Sequence, residues 1–94
     1  MDYLYKPGDK VRVIDHFKQG KLYRMNSGPD AGNGTTVRWS YEDRNKLAGK
    51  IVTISGYNYD VDRYTVEETT NSMTWSDEMF VGLVNKPFMC NNLL

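Results

Sequence analysis

The chain has 94 residues, 39% of them apolar and 26% charged, and its twelve basic side chains balance twelve acidic ones. That describes one domain with one modest core, and excludes a disordered polyelectrolyte or a strongly acidic mimic of DNA. No apolar run reaches the ~20 residues of a membrane helix, the N-terminus lacks a signal-peptide pattern, and the lone Cys90 allows no internal disulfide.

Lys6-Pro7-Gly8-Asp9 is a turn signature. Lys10 to Asp15 then alternates apolar and charged residues, which predicts a half-buried strand with Val11 and Val13 inward. Residues 16–36 read as a long connection. Leu22, Tyr23 and Met25 are expected to touch the core, and Phe17 to cover one end of it. Residues 26–36 are almost all turn formers and are expected to be exposed and mobile.

Residues 36–39 suggest a short strand. Ser40-Tyr41-Glu42-Asp43 reads as a helix start, with Ser40 as the cap and acids at the positive end of the dipole. Arg44 and Lys46 fall near the other end, and Gly49 can terminate the helix. Two turns do not hold alone, so this helix must dock, through Tyr41 and Leu47.

Lys50 to Ser55 is the clearest strand, rich in β-branched residues. Residues 56–62 read as a hairpin loop and Arg63 to Glu68 as its partner strand. Met73-Thr74-Trp75 suggests another short strand. Ser76-Asp77-Glu78-Met79 suggests a single helical turn capped by Ser76, and residues 80–84 a last strand. Residues 85–94 form a tail whose Phe88, Met89, Leu93 and Leu94 need an apolar surface. The expected core is Val11, Val13, Ile51 or Val52, Ile54, Tyr64, Val66, Trp75 and Phe80.

Five short strands with tight hairpins predict a mainly β chain closed, or nearly closed, into a small barrel. The segments Lys6-Pro7-Gly8-Asp9-Lys10-Val11-Arg12-Val13, Leu47-Ala48-Gly49-Lys50-Ile51-Val52-Thr53-Ile54, Tyr64-Thr65-Val66-Glu67-Glu68 and Trp75-Ser76-Asp77-Glu78-Met79-Phe80 occur in that order. They resemble small SH3-like barrel proteins of bacteria and their phages, and are similar to the SH3-like repeats of mind-bomb-type proteins. The resemblance implies one SH3-like barrel over residues 1–84. Residues 16–46, with the long loop and the short helix, are then an insertion after the first strand.

Catalytic chemistry finds little footing. His16 and Cys90 are far apart in sequence, and nothing suggests the contact a nucleophile pair needs. Asp30 to Gly34 lacks the alternating acids and closing Glu of a calcium loop, and Gly28, Gly32 and Gly34 match no phosphate loop. No enzyme, metal or cofactor is expected.

Binding chemistry is better represented. Arg24, Arg38, Trp39, Tyr41, Arg44 and Lys46 interleave cations with amphipathic rings inside the insertion, and Lys18 and Lys21 add to the charge. Planar cations beside large rings are enriched at interface hot spots. Tyr57 and Tyr59 form a second candidate patch. The null alternative is a solvated basic face and rings that only cap the barrel. Residues 1–50 hold ten basic and six acidic side chains, and residues 51–94 hold two and six. Interleaving of the halves in the fold would mix these charges.

The expectation is a non-enzymatic, cytoplasmic protein-binding module that occupies a surface of a host protein. The resemblance implies a phage or mobile-element origin, and inhibition of a defence nuclease of the anti-CRISPR kind is one concrete form. The alternative is a barrel that binds nucleic acid, directly or through a protein–nucleic acid complex, with the basic insertion. No membrane partner is expected, and the oligomeric state is left open. Exchanging Arg38 and Arg44 for Glu is expected to weaken either partner with little effect on folding.

Overall fold

The computed structural model describes residues 2–38 and 41–84. It is mainly β, with strands β1 (Lys10–Val13), β2 (Leu22–Arg24), β3 (Gly34–Thr36), β4 (Ile51–Asn58), β5 (Arg63–Val66) and β6 (Phe80–Leu83). One helix, α1 (Tyr41–Asn45), precedes β4, and a 3-10 turn (Asp77–Met79) precedes β6. No helix among the described residues is long and apolar enough to cross a membrane.

The strands form two antiparallel sheets, one ordered β5-β4-β1-β6 and one made of β2 and β3. Among the described residues, no continuous ladder of hydrogen bonds closes them into one barrel. β1 lies between β4 and β6, so the N-terminal strand is flanked by strands of the acidic half and the two halves interleave. The turn before β1 forms as its sequence requires. Lys6 donates its amide to Asp9 Oδ2 at 2.9 Å, and Asp9 returns its amide to the Lys6 carbonyl at 3.0 Å.

Alternation decides which face of each strand is buried. Val11 and Val13 of β1 point inward, as do Val52 and Ile54 of β4, and all are fully buried. Ile51 takes the outer face and is exposed. Tyr64, Val66, Trp75 and Phe80 complete the expected core, which Phe17, Tyr23, Met25, Val37 and Met79 extend. Much of its interior is aromatic. Trp75 and Phe80 stack with centroids 5.8 Å apart, and Phe17 meets Trp75 edge-on at 6.1 Å.

Several sequence expectations need correction. The hairpin after β4 is tighter than expected, because β4 continues through Gly56, Tyr57 and Asn58. A register shift between Ile54 and Gly56 leaves Ser55 as the extra residue of a bulge, after which Gly56 pairs with Thr65 and Tyr57 with Tyr64. Trp75 forms only an isolated bridge to Tyr64, two mutual backbone hydrogen bonds of 2.9 Å, rather than a strand. Ser76 precedes the 3-10 turn, but its side chain makes no capping hydrogen bond. Its buried hydroxyl has no hydrogen-bond partner among the described residues.

Residues 16–36 are not a bare connection. Leu22–Arg24 and Gly34–Thr36 pair as a hairpin. Gly34 is needed there, since a Cβ would lie 2.5 Å from the Tyr23 carbonyl oxygen. The expected exposure of residues 26–36 fails at its start, where Ser27 and Gly28 are buried. Met25 and Asn33, then Gly32 and Met25, share backbone bonds of 2.7 Å. Thr36 belongs to this hairpin rather than to a strand running to Trp39, and Trp39 and Ser40 lie outside the described residues.

α1 docks as expected, with Tyr41 and Leu47 packed against the core. Gly49, at φ +76°, ends the following turn and donates its amide to the Ile14 carbonyl at 2.9 Å. The tail, residues 85–94, lies outside the described residues.

Candidate functional site

A buried carboxylate joins the two sheets. Asp77, at the start of the 3-10 turn, is only 5% exposed. Its Oδ1 accepts from the Tyr64 hydroxyl at 2.6 Å. Its Oδ2 accepts from the Ser27 hydroxyl and from the Asn26 amide, both at 2.7 Å. Each hydroxyl has a single proton, so the 3.2 Å contact between Ser27 and Tyr64 is a by-product of sharing one acceptor. The next residue, Glu78, accepts the Arg24 amide at 2.7 Å. Amides two residues apart face the same edge of a strand. The two carboxylates thus occupy the outer edge of β2 where a neighbouring strand would pair.

Above this network the N-terminal segment builds a row of tyrosines. Tyr3 stacks on Tyr57 with centroids 4.0 Å apart and planes 12° apart. Tyr57 continues to Tyr59 at 5.9 Å, and Tyr3 meets buried Tyr64 at 5.6 Å. Two hydroxyls are fixed. Tyr57 donates to the Tyr5 carbonyl at 2.8 Å, and Tyr3 donates to Asp62 Oδ1 at 3.3 Å. Desolvation and the adjacent Asp62 push the Tyr3 hydroxyl up to about 12. Tyr59 ends the row and is 73% exposed.

Beside this row lies a shallow groove of about 560 Å³ lined by Ser55, Tyr57, Asn58, Tyr59, Asp60 and Asn71. Polar floor and aromatic wall therefore meet on the concave side of the β4–β5 hairpin. Asp60 and Asp62 join no ion pair among the described residues, where the pairs are Lys46–Asp43 and Arg63–Asp30. Asp62 sits at φ +54°, in the left-handed region that Asp tolerates better than most residues.

A second groove, about 620 Å³, runs between β2 and the 3-10 turn. His16, Lys18, Lys21 and Arg24 line it, with Glu78 opposite and Phe80 beneath. Lys21 lies 5.2 Å from the Tyr23 ring centroid.

The residues singled out from sequence are not gathered into one place. Arg24 belongs to the basic groove. Arg38 and Tyr41 line a smaller one with Gln19, Glu42 and Asp43. Lys46 is exposed beside Leu47, Glu68 and Met73. Arg44 is 4% exposed, lies 5.5 Å from the Trp75 ring centroid and donates to the Thr74 carbonyl. Burial lowers its pKa from the ordinary guanidinium value. Tyr57 and Tyr59 share another groove, the one beside the tyrosine row. Trp39 lies outside the described residues.

Sequence reasoning passed over Arg63. Its Nη1 donates to Asp30 Oδ2 and to the Val61 carbonyl, both at 2.8 Å, and its Nε reaches Thr35 Oγ1 at 3.2 Å. One side chain thus ties the β4–β5 hairpin to the β2–β3 hairpin. The Arg63 hydrogen bond, aided by one from Asn33, holds the Asp30 carboxyl below its ordinary value. No local signal in the sequence announces the stack of Tyr3 on Tyr57.

No family model matches this chain, and no curated protein or solved structure matches it.

Proposed function

We propose that this chain is an SH3-like small barrel acting as a non-enzymatic protein-binding module, with the tyrosine row of the β4–β5 hairpin as its binding face. The strand neighbours of β1, the tight β4–β5 hairpin and the single 3-10 turn before the last strand support the barrel reading. The observation that carries the binding reading is Tyr59, 73% exposed yet joined to the stacked pair Tyr57 and Tyr3. Rings already fixed by stacking lose little freedom on binding, which is how tyrosine serves interface hot spots. The resemblance to phage barrels extends this reading to a cytoplasmic, mobile-element protein that occupies a host surface. Inhibition of a defence nuclease is one form of it.

The groove lined by Lys18, Lys21 and Arg24 favours a second reading, contact with a nucleic-acid backbone. One experiment separates the two. Tagged protein, its Tyr59→Ala variant and a Lys21→Glu/Arg24→Glu variant are used as baits in bacterial lysate, with and without nuclease. A protein retained after nuclease and lost with Tyr59→Ala supports the tyrosine face. Capture abolished by nuclease and by the double variant supports nucleic acid and overturns it.

A further inference from the structure

We infer that the partner of the tyrosine face is a cationic peptide segment, one that lays an Arg or Lys side chain over the Tyr59 ring with its charge toward Asp60. This rests on the reading of the tyrosine row as the binding face and goes further by naming the chemistry it takes.

Three observations converge. The first is a ring presented to solvent. Tyr59 is exposed at the end of the row, while Tyr57 and Tyr3 behind it are half-buried and stacked. An aromatic face attracts a cation through its quadrupole, most strongly where the cation is partly desolvated. Tyr57 and Tyr59 both line the groove, so a cation over Tyr59 also has the second ring beside it.

The second is the sign of the neighbouring charge. Asp60 lines the groove, and Asp62 lies two residues further along the hairpin. Neither carboxylate joins an ion pair among the described residues. Asp62 is occupied by the Tyr3 hydroxyl. Asp60 has its amide bound to Asn58 Oδ1 at 3.0 Å, which fixes its backbone beside the ring and leaves its carboxylate for a ligand.

The third is the orientation of the hairpin's own cation. Arg63 is the basic residue of the hairpin, and it is turned inward onto Asp30 and the Val61 carbonyl. No side chain of the β4–β5 hairpin neutralises this face. A polyanion would meet like charge here, which costs rather than gains on approach. Along the groove the exposed Asn71 side chain adds a hydrogen-bonding group, while Ser55 and Asn58 are engaged with Thr65, Asn71 and the Asp60 amide.

The test is selection from a random 12-residue peptide display library, run in parallel on the full chain, on Tyr59→Ala and on Asp60→Lys. Both replaced side chains are exposed, so the variants retain the fold, which a thermal melt verifies. Sequences enriched on the wild type are expected to carry an excess of Arg and Lys. Their enrichment is expected to fall at least tenfold on either variant. Replacing the enriched Arg by citrulline, which keeps the shape and removes the charge, is expected to weaken a synthetic peptide by a similar factor. Enrichment that depends on Tyr59 without any basic excess overturns the cationic partner and leaves the tyrosine face standing. Enrichment indifferent to Tyr59, or none at all, overturns both.

Discussion

Tyr64 donates its hydroxyl to Asp77 Oδ1 at 2.6 Å, and this bond is the meeting point of three separate parts of the chain. The same hydroxyl oxygen accepts the Tyr5 amide at 3.3 Å, while the same carboxylate holds Ser27 and Asn26. A buried carboxylate is tolerated only when its lone pairs are satisfied. Asp77 has three donors, and the loop beginning at Asn26 is held by two of them.

The first prediction concerns that network. Tyr64→Phe keeps the ring and removes one charge-assisted hydrogen bond, so urea unfolding is expected to show a loss of about 1.5–3 kcal/mol. Asp77→Ala strands three donors and is expected to cost more. In hydrogen exchange, the Asn26 and Arg24 amides are expected to be protected in the wild type, since each is bonded to a carboxylate. Asn26 is expected to lose protection in Asp77→Ala, while Arg24, bound to Glu78, keeps more of its own. Equal stability of Tyr64→Phe and wild type would show that the bond contributes nothing.

Arg44 and Trp75 give the second. Trp75→Ala opens the core and is expected to cost about 3–5 kcal/mol. Arg44→Glu is expected to destabilise by more than about 1 kcal/mol, because it places a carboxylate against the Trp75 ring and the Thr74 carbonyl. Arg38→Glu, at an exposed site, is expected to stay within about 0.5 kcal/mol. Denaturant midpoints of the three variants test the order. This reverses the sequence expectation that both arginines can be exchanged without affecting folding.

Asp30 gives a pH signature. Its carboxyl is held below the ordinary value of 3.8 by Arg63 and Asn33, so the folded state favours the ionised form. The corresponding stability is present above pH 3.8 and is lost as pH falls through the lower folded-state value. Asp30→Asn is expected to be less stable near neutrality and to have a shallower decline in acid. Parallel decline of the two proteins below pH 4 would dissociate Asp30 from the effect.

Tyr3 acts at the opposite end of the scale. Its hydroxyl is raised from 10.0 to about 12, first by desolvation and then by Asp62, so the folded state favours the neutral phenol. Stability is unaffected below pH 10 and falls as pH rises from 10 toward 12, where the unfolded chain has lost the proton and the folded chain has not. Tyr3→Phe is expected to soften that alkaline loss. The phenolate absorbance missing from Tyr3→Phe should come from the part of the titration near pH 12, and a loss confined to pH 10 would contradict the stack and the Asp62 bond.

What the sequence made legible follows from range. Val11, Val13, Val52 and Ile54 alternate over short spans, and alternation is a local signal, so the main sheet could be read directly. Gly56 reads as a turn residue because nothing local distinguishes a glycine inside a strand from one in a turn, and only its pairing with Thr65 of β5 decides it. The β2–β3 hairpin escaped for a related reason. Its strands are three residues each, too short for a period, and one begins with Gly34 in a run of turn formers. Tyr57 and Tyr59 were visible as alternating rings. Their stack with Tyr3 depends on where the N-terminal segment crosses the hairpin, which no spacing encodes. Arg44 looked like a solvated helix residue because the ring that covers it belongs to a distant part of the chain.

The carboxylates of Asp77 and Glu78 have a bearing on how molecules of this protein meet one another. A strand border with free amides invites another chain to add to it. At β2 the Arg24 and Asn26 amides are already engaged by their own molecule, so an incoming strand must first displace two charged acceptors. Growth of the smaller sheet by copying itself is therefore discouraged on that side. A three-residue turn gives this protection with no extra strand, which lets a short chain keep its border closed and its tyrosine face open.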